Sequence, residues 1–441
     1  MIPDHEMHAE AMLQQIRGHI DNVCDILGTD ARVRERLKVS KRVTRALVSL
    51  PRGPKEEHYY VIRVRHLNPW ATAQQPYGGG LRYHPEVSTP LMEVDAMKMT
   101  FKHALVGPED HQRVPFGGAK GGVAVDPYGL KPQELVLLTQ KVVQALGSAI
   151  GPRVDRVAPD MGTNERIMDE FMTYYATLNE EKHIPCGAIA SGKSPDNSGI
   201  RGRLWATAAG MYDVLNFFRG NESTRNYFGD KPTAIIIGAG NVGGWFLRLA
   251  RKNGISVIGI TDVKGTLYRA SGGLENEAEA ILDCTQSKGS VQEYRGGEHP
   301  SVEELLSMPC TLLVPAAKEG MITPAVASRL HARAILEGAN NPTTEDAMPV
   351  LRDHDVLLIP DILANAGGAT VSYFEWRQGI EGVYFTDEEI ENSRAAYMIG
   401  GARRTVEAAQ KYGTDLRMGA MIASIDFIAR RLTRKRHWDL Y

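Results

Sequence analysis

Apolar residues in the first part of the chain follow a helical spacing that later changes to a strand pattern. Residues 9–50 carry apolar side chains at mixed spacings of three and four, which predicts helix up to a turn at residues 51–54. Over residues 59–66 valines alternate with arginines, as in a strand with one solvated face. Residues 123–127 predict another short strand, and residues 131–150 predict a helix.

Beyond residue 231 short, wholly apolar runs alternate with helical segments. The runs predicted as strands are residues 235–237, 257–260, 312–314, 334–336 and 356–359. Strands buried on both faces of a parallel sheet need such runs. From residue 365 onward the pattern is helical again, and residues 388–432 form a long amphipathic stretch.

These patterns predict the α/β fold class and three segments. Residues 1–204 form an N-terminal α/β domain, and residues 205–365 form a second domain in which helices cover a parallel sheet. Residues 366–441 form C-terminal helices that return to the first domain. A length of 441 residues favours two domains on its own.

Composition narrows the class of protein. The chain is 43% hydrophobic and 24% charged, and 51 Lys and Arg nearly balance 53 Asp and Glu. This is typical of a globular protein and predicts no nucleic-acid or membrane partner. A start without a signal-peptide pattern and four cysteines without a Cys-x-x-Cys pair favour a cytoplasmic protein with no metal site.

A glycine motif follows the first apolar run of the second half. Gly238, Gly240 and Gly243 stand between the strand of residues 235–237 and a helix predicted over residues 245–252. In this context the first glycine permits a tight turn, the second lets backbone approach a pyrophosphate, and the third lets helix pack on strand. The motif predicts a dinucleotide site.

Asp262 ends the next strand, at the distance expected for an acid that binds the adenosine ribose. Its charge would repel the extra phosphate of NADP, so we predict NAD, with NADP left open because Lys264 could bind that phosphate. A turn residue before Gly265 is the alternative interpretation of Asp262.

Lys120 stands among four glycines in the run Phe-Gly-Gly-Ala-Lys-Gly-Gly of residues 116–122. Glycines let a ligand and backbone approach the amine, and a partly desolvated lysine can act as an acid or base near neutral pH. An exposed loop lysine is the alternative. Helical spacing alone would place a second lysine, Lys102, on a solvated face.

Asp160 follows Pro159 among apolar neighbours, so its carboxylate is a candidate for proton transfer. The alternative is a cap, from Asp160 or Thr163, on a helix that starts near Glu165.

Several motifs together, in order along the chain, resemble the glutamate, leucine, phenylalanine and valine dehydrogenase family. They lie at residues 79–85, 116–122, 158–163, 238–243, 337–340 and 360–376. The resemblance implies reversible oxidative deamination of an L-amino acid to its 2-oxo acid and ammonia, with reduction of NAD(P). It implies that Lys120 helps water attack the imino acid and that Asp160 exchanges protons with the amino nitrogen.

The resemblance implies that residues 1–204 serve substrate binding and oligomerisation and that residues 205–365 form a Rossmann-type dinucleotide-binding domain. It also implies the remaining site residues. Substrate contacts would come from Lys102, which would hold the α-carboxylate, and from Arg203, Thr207, Ser372 and Gly79. Cofactor contacts would come from Gly238, Gly240, Asn241, Val242, Gly243, Asp262, Ala316, Asn340 and Asn365. The family further implies a homo-hexamer, with a hetero-oligomer with a homologue as the alternative.

The choice of amino acid depends on one departure from the family pattern. Glutamate-specific members have a lysine directly before the Gly-Gly-x-Arg run, and here that position is Gly78. Arg203 and Ser372, two other family contacts to the distal carboxylate, are retained, so we predict L-glutamate. A non-acidic substrate and a catalytically poor regulatory subunit are the alternatives. A lengthened link at residues 106–113 is interpreted as a surface insertion.

Overall fold

A computed structural model describes residues 4–70 and 75–434 and divides them into two compact units. The first unit takes its described residues from Met1–Arg203, Ala369–Ser393 and Met421–Tyr441, and the second from Leu204–Gly368 and Arg394–Ala420. The segment predicted as C-terminal helices of the first domain is therefore shared between the units, because residues 394–420 group with the second.

The first unit is built on a mixed five-stranded sheet. Its elements are α1 (Asp4–Leu27), α2 (Ala31–Lys38), β1 (Arg42–Arg52), β2 (Lys55–Arg65), β3 (Tyr77–Tyr83), α3 (Thr89–Leu105), β4 (Gly117–Val123), α4 (Pro132–Leu146), β5 (Asp155–Pro159) and α5 (Glu165–Leu178). The sheet order is β1-β2-β4-β3-β5, in which β3 pairs parallel with β4 and β5 while β2 pairs antiparallel with β1 and β4. The carboxyl ends of three parallel strands therefore meet at one edge.

Two predictions for this unit are wrong. The predicted helix ends at Lys38, and residues 42–52 form β1, because their hydrogen bonds go to β2 across a hairpin that turns at Gly53 (φ +64°). The strand predicted at residues 123–127 lies earlier and includes Lys120. Glycine disfavours strands, but β4 runs between β2 and β3, which pair with it on both sides.

Other predictions for this unit are confirmed. The strand predicted at residues 59–66 is part of β2, and the helix predicted at residues 131–150 is α4. Residues 109–112 of the lengthened link are exposed, as expected of a surface insertion. In the core of the unit, leucine and valine side chains of the sheet, such as Leu81, pack with residues of the helices, such as Leu138 of α4 and Phe171 of α5.

The second unit is built on a six-stranded sheet. Its elements are α6 (Ala206–Gly220), β6 (Thr233–Ile237), α7 (Asn241–Ala250), β7 (Ser256–Thr261), β8 (Thr266–Tyr268), α8 (Ala278–Lys288), α9 (Val302–Leu306), β9 (Cys310–Pro315), α10 (Pro324–Ala327), β10 (Ala332–Leu336), α11 (Met348–Asp353), β11 (Leu357–Ile359) and α12 (Asp361–Ala364). The order is β11-β10-β9-β6-β7-β8, parallel except for β8 at the edge. The five predicted strands are all confirmed, and the Rossmann-type fold with them.

Three long helices follow along the chain, α13 (Gly367–Glu381), α14 (Asp387–Tyr412) and α15 (Leu416–Arg434). The helical stretch predicted at residues 388–432 is confirmed and consists of α14 and α15, which Gly413 at φ +63° separates. Within residues 4–70 and 75–434, no helix combines the length and apolar character needed to cross a membrane. In the same residues, His, Cys, Asp and Glu side chains form no group of three placed to bind a metal ion.

Candidate functional site

Lys120 and Asp160 form an ion pair in the first unit. Lys120 lies in β4 and Asp160 directly follows β5, and Lys120 Nζ donates a hydrogen bond to Asp160 Oδ2. Lys120 is 3% exposed, so the interpretation as an exposed loop lysine is wrong. Gly80 in β3, the strand between them, gives the pair room, because a Cβ there would lie 2.5 Å from Asp160 Oδ2.

Arg82 and Asp95 complete a ring of alternating charges with this pair. Arg82 Nε donates to Asp160 Oδ1 over 2.8 Å, and Arg82 Nη2 donates to Asp95 Oδ2 over 3.0 Å. Lys120 Nζ lies 3.4 Å from the same Asp95 oxygen. Asp95 was not predicted from the sequence as a site residue. Its one signal is its position on α3, two turns before Lys102 and on the same face of the helix.

The ring sets the protonation of Asp160. Burial alone raises the pKa of this carboxyl, but the charges and hydrogen bonds of Lys120 and Arg82 outweigh burial and hold the pKa well below its usual range. Asp160 is therefore an ionised carboxylate at neutral pH. Two cationic donors and the Met161 N–H, which donates to Oδ1 over 2.9 Å, fix its orientation.

The turn after β5 holds Asp160 and leaves the capping of α5 to another residue. The Asp160 N–H donates to Thr163 Oγ1 over 2.8 Å, and this hydroxyl donates to the Leu81 carbonyl over 2.9 Å. The Asn164 side chain caps α5 by accepting from Ile167 N over 3.1 Å. The alternative in which Asp160 or Thr163 caps the helix is therefore wrong.

Lys102 and Gly79 are both buried in the same unit. Lys102 lies in the last turn of α3 and is 7% exposed, so its interpretation as a residue of a solvated face is wrong. Gly79 is a packing requirement, because a Cβ there would overlap the Ala119 carbonyl of β4. The positions adjoin the strands that carry Lys120, and their contacts with substrate stay predictions.

Arg203 and Ser372 meet, as the family resemblance implies. Arg203 Nε donates to Ser372 Oγ over 2.9 Å. Ser191 Oγ, which the sequence analysis missed, also donates to Ser372 Oγ over 3.0 Å. Ser191 and Ser372 are fully buried, whereas Arg203 is partly exposed, and burial lowers the pKa of Arg203. This Arg203–Ser372 cluster combines a cation with hydroxyls, as a carboxylate site needs.

In the second unit the glycine motif forms the turn from β6 to α7. Gly238 has φ +105°, and a Cβ there would lie 2.8 Å from Ala317 Cβ; a Cβ on Gly243 would overlap the Gly238 carbonyl. Gly240 is exposed, and a Cβ there would meet no described protein atom within 4 Å, so the protein itself does not require this glycine. Asn241 and Val242 follow in the first turn of α7. The open Gly240 backbone at a helix N-terminus fits a pyrophosphate.

Asp262 follows β7, and its carboxylate is held by the next loop. Its Oδ1 accepts from Lys264 N, Gly265 N and Ser290 Oγ at 2.8–3.0 Å, and its Oδ2 accepts from Val291 N over 2.6 Å. The interpretation of Asp262 as a turn residue is thus confirmed. Oδ2 keeps acceptor capacity, so a ribose contact is compatible with the turn role.

The other predicted cofactor residues lie after parallel strands of this unit. Ala316 follows β9, and its N–H donates to the Ile237 carbonyl over 2.8 Å. Asn365 Nδ2 donates to Asn340 Oδ1 over 3.1 Å and to two backbone carbonyls of the preceding loop. Thr207 lies in the first turn of α6. This turn packs closely on Gly367, because a Cβ on Gly367 would overlap the carbonyl of Ala206, the residue before Thr207. This edge, where the strand order reverses between β6 and β9, is where ligands bind in such sheets.

Comparison with known proteins agrees with both units. The family profile described as Glutamate/Leucine/Phenylalanine/Valine dehydrogenase matches residues 198–436. A second profile, Glu/Leu/Phe/Val dehydrogenase, dimerisation domain, matches residues 55–177. Glutamate dehydrogenase from Thermotoga maritima is 33% identical over 99% of both chains. NADP-specific glutamate dehydrogenase from Saccharolobus shibatae is 33% identical over 95% of both chains.

Two solved structures are similar over nearly the whole chain. The hetero-hexameric glutamate dehydrogenase from Thermus thermophilus, in its Leu-bound form, has a TM-score of 0.87 and 25% identity, and the match covers 99% of both chains. Glutamate dehydrogenase from Peptoniphilus asaccharolyticus has a TM-score of 0.78 and 28% identity, with 96% of this chain and 99% of that chain covered. The present chain belongs to the glutamate/leucine/phenylalanine/valine dehydrogenase family and is an NAD(P)-dependent amino-acid dehydrogenase.

Proposed function

We propose that the protein catalyses the reversible oxidative deamination of L-glutamate to 2-oxoglutarate and ammonia, with NAD as the preferred cofactor. The observation that carries the choice of glutamate is the contact between Arg203 and Ser372. A cation that is partly withdrawn from water and bonded to a hydroxyl favours a carboxylate at the end of the substrate side chain. An aliphatic or aromatic side chain would bring no anion to compensate the charge of Arg203.

Lys120 and Asp160 are proposed to handle the protons of the reaction. Asp160 takes a proton from the amino nitrogen and returns it in the reverse direction, and Lys120 assists the attack of water on the imino carbon. The two groups are within hydrogen-bond reach of each other, so a proton can pass between them without bulk water. Arg82 and Asp95 hold them in place. Lys102 is proposed to bind the α-carboxylate.

The cofactor is proposed to bind along the carboxyl edge of the second sheet, and a bound nicotinamide would supply the hydride acceptor of the reaction. Gly238, Gly240 and Gly243 would admit the pyrophosphate, with Asn241, Val242 and Ala316 beside it. Asn340 and Asn365 would orient the nicotinamide, and Thr207 would lie near the reacting carbon. Asp262 would bind the adenosine ribose, and its charge is the reason for proposing NAD over NADP.

A hexamer is proposed as the assembly, in keeping with the Thermus thermophilus structure. That relative is hetero-hexameric, and together with Gly78 it favours a second candidate function, that of a subunit which needs a homologous chain for full turnover. Purification of the chain alone separates the two. Full turnover by a homo-hexamer, with the mass measured by light scattering, would exclude the second candidate.

A panel of substrates and cofactors tests the proposed function. Glutamate, leucine, valine and phenylalanine are each offered to the purified chain with NAD and with NADP, and formation of the reduced cofactor is followed by absorbance. We expect turnover with glutamate, and with NAD above NADP. Absence of turnover with glutamate and either cofactor would overturn the proposal, and preferred turnover of leucine, valine or phenylalanine would replace glutamate as the substrate.

A further inference from the structure

The space beside Gly78 is filled by the guanidinium of Arg156. Gly78 lies in β3 and pairs in register with Arg156 in β5. A Cβ on Gly78 would lie 3.2 Å from Arg156 Nε and 3.4 Å from Arg156 Nη2. Glutamate-specific members of the family have a lysine at the position of Gly78. Here a positive charge lies next to the same position, but Arg156 of the neighbouring strand β5 supplies it.

Arg156 is buried and has unused donor capacity. It is 2% exposed, and its guanidinium stacks over the Phe116 ring with 4.5 Å between Cζ and the ring centroid. Nη1 donates to Ser191 Oγ over 2.8 Å, whereas Nε has no hydrogen-bond partner among residues 4–70 and 75–434. Burial lowers the pKa of Arg156 to about 9, so the guanidinium is still protonated at neutral pH. A buried cation of this kind calls for an anion.

The carboxylates nearest to Arg156 are already paired with other cations. Asp155 forms ion pairs with Arg63 and Arg65. Glu375 lies 2.6 Å from Lys193 Nζ and also accepts from backbone N–H groups of residues 192 and 193. In the described part of the chain, no carboxylate lies within 4.0 Å of the Arg156 guanidinium. The surroundings of Ser191 and Ser372 are thus left with an excess of positive charge.

Hydrogen bonds connect Arg156 to the Arg203–Ser372 cluster in a fixed direction. Arg156 donates to Ser191, Ser191 donates to Ser372, and Arg203 donates to Ser372 from the other side. Ser372 Oγ accepts two hydrogen bonds, so its own hydrogen is left to donate to a further acceptor such as a carboxylate. The donors therefore present a hydroxyl hydrogen together with two guanidinium charges, and Arg203 is the member that solvent reaches.

The spacing along β3 matches the length of glutamate. Gly78 faces Arg156 and Gly80 faces Asp160, and residues two apart on a strand point to the same side about 7 Å apart. The amino nitrogen of extended glutamate is about 5 Å from its distal carboxyl carbon, judging from standard bond lengths. A substrate whose nitrogen is near Asp160 therefore brings its distal carboxylate towards Arg156.

We propose that Arg156 determines specificity for a dicarboxylic amino acid, by supplying the charge that Gly78 lacks and by orienting the Ser372 hydroxyl through Ser191. This inference rests on the proposed action on glutamate. It assigns to Arg156 a role in binding the distal carboxylate and none in the proton transfers at Lys120 and Asp160. The same chemistry would hold the distal carboxylate of 2-oxoglutarate in the reverse reaction.

The test compares glutamate with norvaline, which has a methyl group in place of the distal carboxylate. Arg156→Met should raise the KM for glutamate about 100-fold, the cost of truncating one partner of a buried charge pair, and change the KM for norvaline less than about threefold. Arg156→Lys should recover most of the loss. Ser191→Ala, which keeps the charge and breaks the relay, should raise the KM for glutamate about tenfold. In each variant kcat should change less than KM.

Moving the charge gives an independent test. Gly78→Lys in the Arg156→Ala background should restore glutamate binding that Arg156→Ala alone loses, because the smaller residue makes room for the lysine. Arg153→Met removes an exposed arginine from the same region and should leave both KM values unchanged. An unchanged KM for glutamate in Arg156→Met, or an equal rise for norvaline, would overturn the inference, and so would a double variant without recovery.

Binding of glutarate, measured by calorimetry, separates this inference from the proposed function. If the native chain turns over no glutamate, the proposed function fails. Even then, a loss of glutarate affinity of about 100-fold in Arg156→Met would support the anion site, and unchanged affinity would refute it. If Arg156→Met does not fold, the affinity for glutarate is compared between the native chain, Arg156→Lys and the double variant, and this comparison decides whether Arg156 forms the anion site.

Discussion

Replacement of Asp160 by asparagine removes one charge from the ring and keeps its shape. In the native ring, Asp160 and Asp95 alternate with Lys120 and Arg82. Asparagine keeps one oxygen acceptor, but Lys120 and Arg82 would then share the carboxylate of Asp95. We expect two separate effects, one on stability and one on rate.

The effect on stability follows from burial. The side chains of Lys120 and Asp160 are 4% and 14% exposed, so solvent screens the pair weakly. Breaking a buried ion pair costs about 3–5 kcal/mol, and we expect about 3 kcal/mol because an acceptor oxygen remains. The native pKa of Asp160 is depressed, so this contribution is complete above the unfolded pKa of about 3.9 and is lost as the pH falls towards the folded value.

The effect on rate follows from the proposed proton transfer. Loss of a positioned acid or base costs about 10²- to 10⁴-fold, and the loss should fall on kcat in both directions of the reaction. The assay is steady-state kinetics with glutamate and with 2-oxoglutarate and ammonia, together with urea unfolding at pH 7 and at about pH 3, below the unfolded pKa of Asp160.

The control for this variant is Asp126→Asn. Asp126 is exposed, and its carboxylate accepts only from backbone in a surface turn, for example from Tyr128 N over 3.0 Å. Asparagine suits that position as well as aspartate does, so the free energy of unfolding should change by less than about 0.5 kcal/mol and kcat should not change. If Asp160→Asn kept kcat within tenfold of the native value while folding normally, the role assigned to Asp160 would be refuted.

Two further predictions concern stability. Arg417 pairs with the fully buried Glu337 over 2.6 Å, so Arg417→Met should lower the free energy of unfolding of the second unit by about 3–5 kcal/mol, and a loss below about 1 kcal/mol in urea unfolding would contradict this. His66 Nε2 donates to the Leu37 carbonyl and Nδ1 lies 2.8 Å from Thr100 Oγ1, and burial lowers the pKa of the ring from 6.5 to about 4, so the ring is neutral at pH 7. The unfolded chain binds this proton first, so stability should fall between pH 6.5 and 4, and His66→Gln should flatten that part of the curve.

Much of the fold could be predicted because burial leaves a direct pattern in the sequence. The strands of the second unit are buried on both faces, so each is a continuous apolar run, and Gly238 after the first run marks the turn. The errors occurred where pairing outweighs local preference. β1 forms by pairing with β2, and β4 is mostly glycine, so neither has a strand signal of its own.

The candidate site could be predicted only in part, because its residues come from separate strands. The pairing of Lys120 with Asp160 depends on the order of β3, β4 and β5 and on a glycine at position 80. Arg156 has no local signal of function. In the sequence it looks like a charged residue on the solvated face of a strand in which polar and apolar residues alternate. Only the register between β3 and β5 places it beside Gly78.

The ratio of kcat/KM for glutamate to that for norvaline, measured on the purified chain alone, shows whether the site selects a distal carboxylate. A site that pairs a distal carboxylate with Arg203 and Ser372 should reject an analogue without that group, because the charge of Arg203 then lacks the anion that the substrate supplies. The account predicts a ratio of at least about 100 in the native protein. A ratio near or below one would contradict it.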